Sequence, residues 1–162
     1  MTRGHHLAQV NIGRLKAPQD APEIADFVAN LDRINALAER QPGFVWRLTG
    51  DGGNAMDVRA FEDPLMAINM SVWASLDDLA ALVYRSGHRE IMRRRREWFQ
   101  EMTVYQALWW TPRGRLPTTA EALERLDALE RLGPTAYAFT FRTPFAPTVA
   151  ESRPTPILEA CV

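Results

Sequence analysis

Apolar and polar side chains alternate over residues 6–13 (HLAQVNIG). Ala8, Val10 and Ile12 fall on one side and Leu7, Gln9 and Asn11 on the other, the period of a strand. The period then lengthens. Ile24, Phe27, Val28, Leu31, Ile34 and Ala38 recur at helical spacing, with Asp20 as N-cap, Glu23 closing a capping box, Pro22 in the first turn and Gly43 just past the end. Residues 44–49 (FVWRLT) read as a second strand and residues 51–54 as a turn. The stretch to Pro64 reads as loop, with at most a short extended piece over residues 58–61. Alternation returns in MAINMSVW, where Ile68, Met70 and Val72 oppose Asn69, Ser71 and Trp73.

Ser75 and Asp78 form a second capping box, opening a helical region that buries Leu79, Leu82 and Val83. A new stripe follows out of phase with the first: Tyr84, His88, Ile91, Arg95, Trp98 and Met102. The phase change predicts a break at Ser86 and Gly87, since glycine is a weak helix former. Residues 103–111 (TVYQALWWT) read as a fourth strand. Thr118 and Glu121 cap a further helix that turns Leu123, Leu126, Leu129 and Leu132 inward and stops at Gly133 and Pro134. Residues 137–141 (YAFTF) suit an edge strand, and from residue 146 the chain is proline-rich without periodicity. These patterns predict a single domain over residues 1–145 and a flexible tail over residues 146–162. The order β-α-β-β-α-β is that of an α+β, ferredoxin-like sandwich, an antiparallel sheet with helices on one face. Its other face would carry Gln9, Asn11, Asn69, Ser71 and Trp73. Pairing sheet to sheet with a second copy, as a homodimer, would cover them and enclose a polar and aromatic cavity for a small-molecule ligand.

Totals narrow the classes. With 162 residues the chain buries a core without disulfides or a structural metal. A formal net charge of −1 gives no footing for nonspecific nucleic-acid binding. Cys161 is the one cysteine, which excludes an internal disulfide and a cysteine metal cluster and fits a reducing compartment. No apolar run approaches membrane-spanning length and no secretory signal shows, so the expectation is a cytoplasmic protein with neither membrane nor nucleic acid as partner. Lys16 is the only lysine, and none is placed for Schiff-base chemistry. His5 and His6 lack a third ligand, residues 50–53 are not followed by a phosphate-loop helix, and no nucleophile-histidine-acid set assembles.

His88 and Arg95 stand on an otherwise apolar stripe. Buried there, each needs a partner, because an unsatisfied polar group costs about 1–3 kcal/mol and an unpaired charge more. His88 reads as a metal ligand, a general base or a structural histidine. Arg95 reads as a bidentate anchor for a ligand carboxylate, or as half of a buried ion pair. The remaining arginines of the run suit a solvated face, with Glu90–Arg94 and Arg93–Glu97 spaced as ion pairs. Asn11, Asn69, Ser71 and Gln9 are amides and a hydroxyl held on strands, able to orient a quinone, a phenol or a peroxo intermediate, or else to form a hydrated or self-paired dimer interface.

Three segments, HLAQVNIG, NMSVW leading to YRSGHREIMRRRREWF, and AFTFR, together resemble the family called domain of unknown function 3291, over about residues 6–145. That family is similar to the dimeric α/β barrel superfamily, which includes antibiotic-biosynthesis-type and haem-degrading monooxygenases; the link is the W-x-S-x-x-x-L pattern from Trp73 to Leu79 leading to His88. The resemblance implies a small-molecule enzyme, monooxygenase-like, either cofactor-free or haem-dependent, with its pocket beside the His88 helix. In the haem-degrading members a first-strand asparagine, a tryptophan near the third strand and a helical histidine on iron do the work, and Asn11, Trp73 and His88 match those positions. His88 would be the metal ligand only with haem bound. A non-catalytic protein that binds haem or another small ligand, and a structural dimer without ligand, are the alternatives. The substrate is not legible.

Overall fold

The computed structural model describes residues 4–85 and 87–148. Four antiparallel strands, β1 (His5–Arg14), β2 (Phe44–Arg47), β3 (Met66–Trp73) and β4 (Gln106–Pro112), form one sheet in the order β2-β3-β1-β4. Helices α1 (Ala25–Arg40) and α2 (Leu76–Arg85) make the two crossovers, followed by the short α3 (His88–Arg93) and α4 (Arg95–Trp98), with α5 (Thr119–Leu132) after the last strand. This is the ferredoxin-like sandwich expected from the order of elements. β1, the most regularly alternating segment, lies at the centre and pairs with both β3 and β4.

The caps of α2 and α5 form as read. The Ser75 hydroxyl accepts from the Asp78 amide at 3.1 Å and donates to its carboxylate at 2.7 Å, and Thr118 Oγ1 accepts from the Glu121 amide at 3.1 Å. The cap of α1 does not. A 3-10 turn over Pro22–Ile24 leads into α1 with no side-chain cap, so Asp20 stands outside the helix. Pro22 lacks the amide hydrogen that a cap would take and suits this tight entry. The helical region after β3 breaks where expected, α2 ending at Arg85 and α3 starting after Gly87; Ser86 itself lies outside the described residues. A second break at Arg94 separates α4. The predicted edge strand shrinks to one bridge, in which Phe139 and Leu108 exchange backbone bonds at 2.9 Å. The Tyr137 amide is taken instead by Thr135 Oγ1 at 3.2 Å, which turns the chain away from the ladder. The tail expected from residue 146 falls outside the described residues from 149 onward.

The two faces of the sheet are covered differently from the sequence-based picture. Ala8, Val10, Ile12, Ile68, Met70, Val72, Ala107 and Trp109 form a closed layer beneath Ala122, Leu126 and Leu129 of α5, flanked by Leu48, Val58, Ala60 and Phe61. That apolar face is covered by the chain's own last helix and long loop. The polar face, with Gln9, Asn11, Asn69 and Ser71, points at α1, α2 and α3. A second copy is therefore not what covers the polar residues. Alternation separates two faces but does not say which one the crossover helices take.

Candidate functional site

Antiparallel pairing sets Gln9 opposite Ser71 and Asn11 opposite Asn69 on the helix-facing side. Side chains at such positions lie within reach of their cross-strand and diagonal neighbours. Gln9 Nε2 donates to Ser71 Oγ at 2.9 Å and to Asn69 Oδ1 at 3.0 Å, while Gln9 Oε1 accepts from Asn11 Nδ2 at 3.3 Å. Trp73 Nε1 completes the ladder, donating to Ser71 Oγ at 2.8 Å. Ser71 thus accepts twice and keeps its own hydroxyl hydrogen. Asn69 keeps its amide donors and Asn11 its carbonyl oxygen, with no partner for them among the described residues. Strands fix this ladder, and its remaining groups face open space.

The open space is a cavity of about 700 Å³ between the sheet and α1, α2 and α3. It exists because α1 stands off the sheet: none of its residues is fully buried, and Phe27, Leu31, Ile34 and Ala38 line the cavity instead of a closed core. Trp73 is fully buried at one end, its ring edge-on to Phe44 with centroids 5.5 Å apart. That placement makes Trp73 a wall with its polar atom committed to Ser71.

His88 is the first residue of α3 and lines the same cavity, with its Nδ1 buried. Burial pushes its pKa below the ordinary imidazole value, so the ring is neutral at neutral pH. Arg95 lines the cavity too. Its NH2 nitrogen donates to the Ile12 carbonyl at 2.9 Å, and its guanidinium lies over Phe99 and Tyr105 at 4.8 and 4.7 Å from the ring centroids. The buried ion pair considered for Arg95 does not form. The spacing-based pairs in the arginine run do not form either. Arg94 takes Glu97 at 2.9 Å and Asp26 at 3.0 Å, because the break at Arg94 puts its side chain across α1.

All seven candidate residues, Gln9, Asn11, Asn69, Ser71, Trp73, His88 and Arg95, line this one cavity. Sequence reasoning missed Asn30 and Asn35 on α1, Tyr105 just before β4 and Gln106 at its start. Asparagines within an apolar helical stripe were the available signal for the first two. It also missed Gly13. A Cβ there would lie 2.4 Å from the Phe99 ring and 3.2 Å from Arg95 NH2, so glycine is what lets that pair lie flat on β1.

No group of three or more histidine, cysteine or acidic side chains is placed to hold a metal ion among the described residues. For haem, a neutral His88 is a suitable ligand and arginines are present for propionates. The rest of the lining combines six amides (Gln9, Asn11, Asn30, Asn35, Asn69 and Gln106) with apolar side chains such as Leu31, Ile34, Leu82 and Ile91, so it offers hydrogen-bonding groups as well as apolar surface to a ligand. Among the described residues no helix is long and apolar enough to cross a membrane.

Residues 6–155 match the family described as Domain of unknown function (DUF3291), and the chain belongs to that family. No curated protein matches it. Solved structures similar to it include SnoaB, a cofactor-independent oxygenase from Streptomyces nogalater. That protein shares 21% identity over 70% of this chain and 98% of its own, with a TM-score of 0.49. Another is NE2512, a protein of unknown function from Nitrosomonas europaea, at 15% identity over 70% of this chain and 96% of its own, with a TM-score of 0.45.

Proposed function

We propose that this protein is a small-molecule enzyme of monooxygenase type that works without a bound cofactor on an electron-rich phenolic or polycyclic substrate. The observation that carries the reading is the ladder Asn11–Gln9–Ser71–Trp73, with Asn69 beside it, held on rigid strands inside a cavity and keeping hydrogen-bonding capacity for a ligand. A volume of about 700 Å³ suits a skeleton of two or three fused rings.

In this reading Asn69 and Ser71 donate to a substrate oxygen and stabilise the negative charge that develops on it. His88, kept neutral by burial, removes a proton from an activated CH₂ carbon of the ring system. The resulting anion reduces dioxygen by one electron and the radical pair combines to a peroxide. His88 returns its proton to the peroxide, giving a hydroperoxide. His88 then takes the second carbon-bound proton as the O–O bond breaks, and the departing hydroxide picks up that proton to leave as water, so CH₂ and O₂ become C=O and H₂O. Gln9 acts through Asn69 and Ser71, and is a positioning residue.

Oxygen uptake by the purified protein with a panel of polycyclic phenols and hydroquinones, monitored by an oxygen electrode, tests the reading. Uptake above the uncatalysed rate is expected, falling about 100-fold in Asn69→Ala, of the order seen when one oxyanion donor is removed. Binding without uptake across the panel would make the protein a binder and overturn the catalytic reading.

A further inference from the structure

The polar ladder explains neutral recognition but not the charge of the cavity. Its lining includes Arg47, Arg89, Arg93 and Arg95 and, among the described residues, no aspartate or glutamate. Two neighbouring acids, Glu97 and Asp26, are both engaged by Arg94. Arg47 is offset by Glu39 at 2.7 Å. Arg95 has no carboxylate within ion-pair distance among the described residues. Among the described residues its side chain's hydrogen bond is to the Ile12 carbonyl, leaving most of its five N–H groups for a ligand.

The geometry around Arg95 is built. Phe99 and Tyr105 hold the guanidinium plane, and the missing side chain of Gly13 gives Phe99 and Arg95 room against β1. A planar fork held in this way recognises two oxygens at once, which a carboxylate supplies. Asn11 lies one residue before the carbonyl that Arg95 holds and lines the same cavity, so the anion site sits beside the ladder.

We infer that the cavity selects an aromatic acid: a ring system whose carboxylate is bound by the Arg95 guanidinium and whose hydroxyl or carbonyl oxygens meet the Asn11–Asn69 end of the ladder. This rests on the reading of the cavity as a small-molecule site and adds the charge of the molecule. Burial of Arg95 disfavours its charged form, and an anionic ligand offsets that cost.

The test compares a hydroxynaphthoic acid with its methyl ester, titrated into the full-length protein and followed by tryptophan fluorescence and calorimetry. The acid is expected to bind at least ten times more tightly. In Arg95→Met the two compounds should bind alike, and Arg95→Lys should regain part of the preference, as a point charge replaces a fork. Circular dichroism and the ester's retained affinity show that the methionine variant is folded. If that variant does not fold, Gly13→Ala serves instead, expected to lower acid affinity more than ester affinity through displacement of the Phe99–Arg95 stack. Equal binding of acid and ester to the unaltered protein overturns the anion assignment alone. Failure of both to bind overturns the small-molecule reading with it.

Discussion

Val10 and Gln9 are neighbours on one strand and meet opposite surroundings. Val10 points to a layer closed by α5, where Ala8, Met70, Val72 and Trp109 have no exposure at all. Gln9 points to a layer in which α1 stands off the sheet, and its amide is bonded to Asn69 and Ser71 at the floor of a cavity. The first face is held by apolar contact and removal of surface from water. The second gives up close packing, keeps polar atoms in a confined space, and satisfies most of them against each other. Over the middle of β1 side-chain parity therefore separates stability from chemistry: Gln9 and Asn11 serve the site, and Ala8, Val10 and Ile12 serve the core.

Substitutions on the two faces should separate accordingly. The largest stability loss is expected for Met70→Ala, at the centre of the closed layer, costing about 2–5 kcal/mol in urea unfolding because the cavity left behind cannot refill. The folded fraction should keep its affinity for a cavity ligand. Ser71→Ala, on the same strand but the other face, removes the acceptor shared by Gln9 and Trp73. Its expected stability cost is smaller, about 1–3 kcal/mol for the donors left without that acceptor, and its loss of ligand affinity larger. If Met70→Ala weakened ligand binding more than Ser71→Ala did, the division of labour between the faces would be wrong.

Much of this arrangement was legible in the sequence, for a physical reason. Strand alternation repeats every two residues, so Met66–Trp73 and the polar set Gln9, Asn11, Asn69 and Ser71 can be read locally. The phase shift between Leu82 and His88 likewise announces the break in the helix. What remained hidden depends on contacts far apart in the chain. Nothing local says that Gln9 bonds to residues 60 and 62 positions away, nor which face of the sheet the helices choose. Arg95 is held by a backbone carbonyl and two aromatic faces, partners with no charge signature, so pattern reading looked for an acid instead. The role of Gly13 is an empty volume, visible only once Phe99 is in place.

The smallest effect sharpens the comparison by pH, because His88 belongs to the cavity side and the closed layer holds no titratable group from the strands. Burial lowers the pKa of His88 from the ordinary 6.5. The unfolded chain therefore takes up this proton first as pH falls through 6.5, and stability drops over the interval down to the folded-state value. Below that value both states are protonated and the contribution is constant. His6 is lowered too, by its own burial and by Arg113, and contributes in the same direction. Subtraction isolates His88. Urea midpoints at about pH 7.5 and about pH 5.5, on either side of the imidazole range, should fall more for the wild type than for His88→Gln, since His6 is common to both. Equal losses in the two proteins would mean that the imidazole is as well solvated in the folded chain as in the unfolded one. His88 would then be an unsuitable base for the cavity, and the cavity would depend on its amides and Arg95.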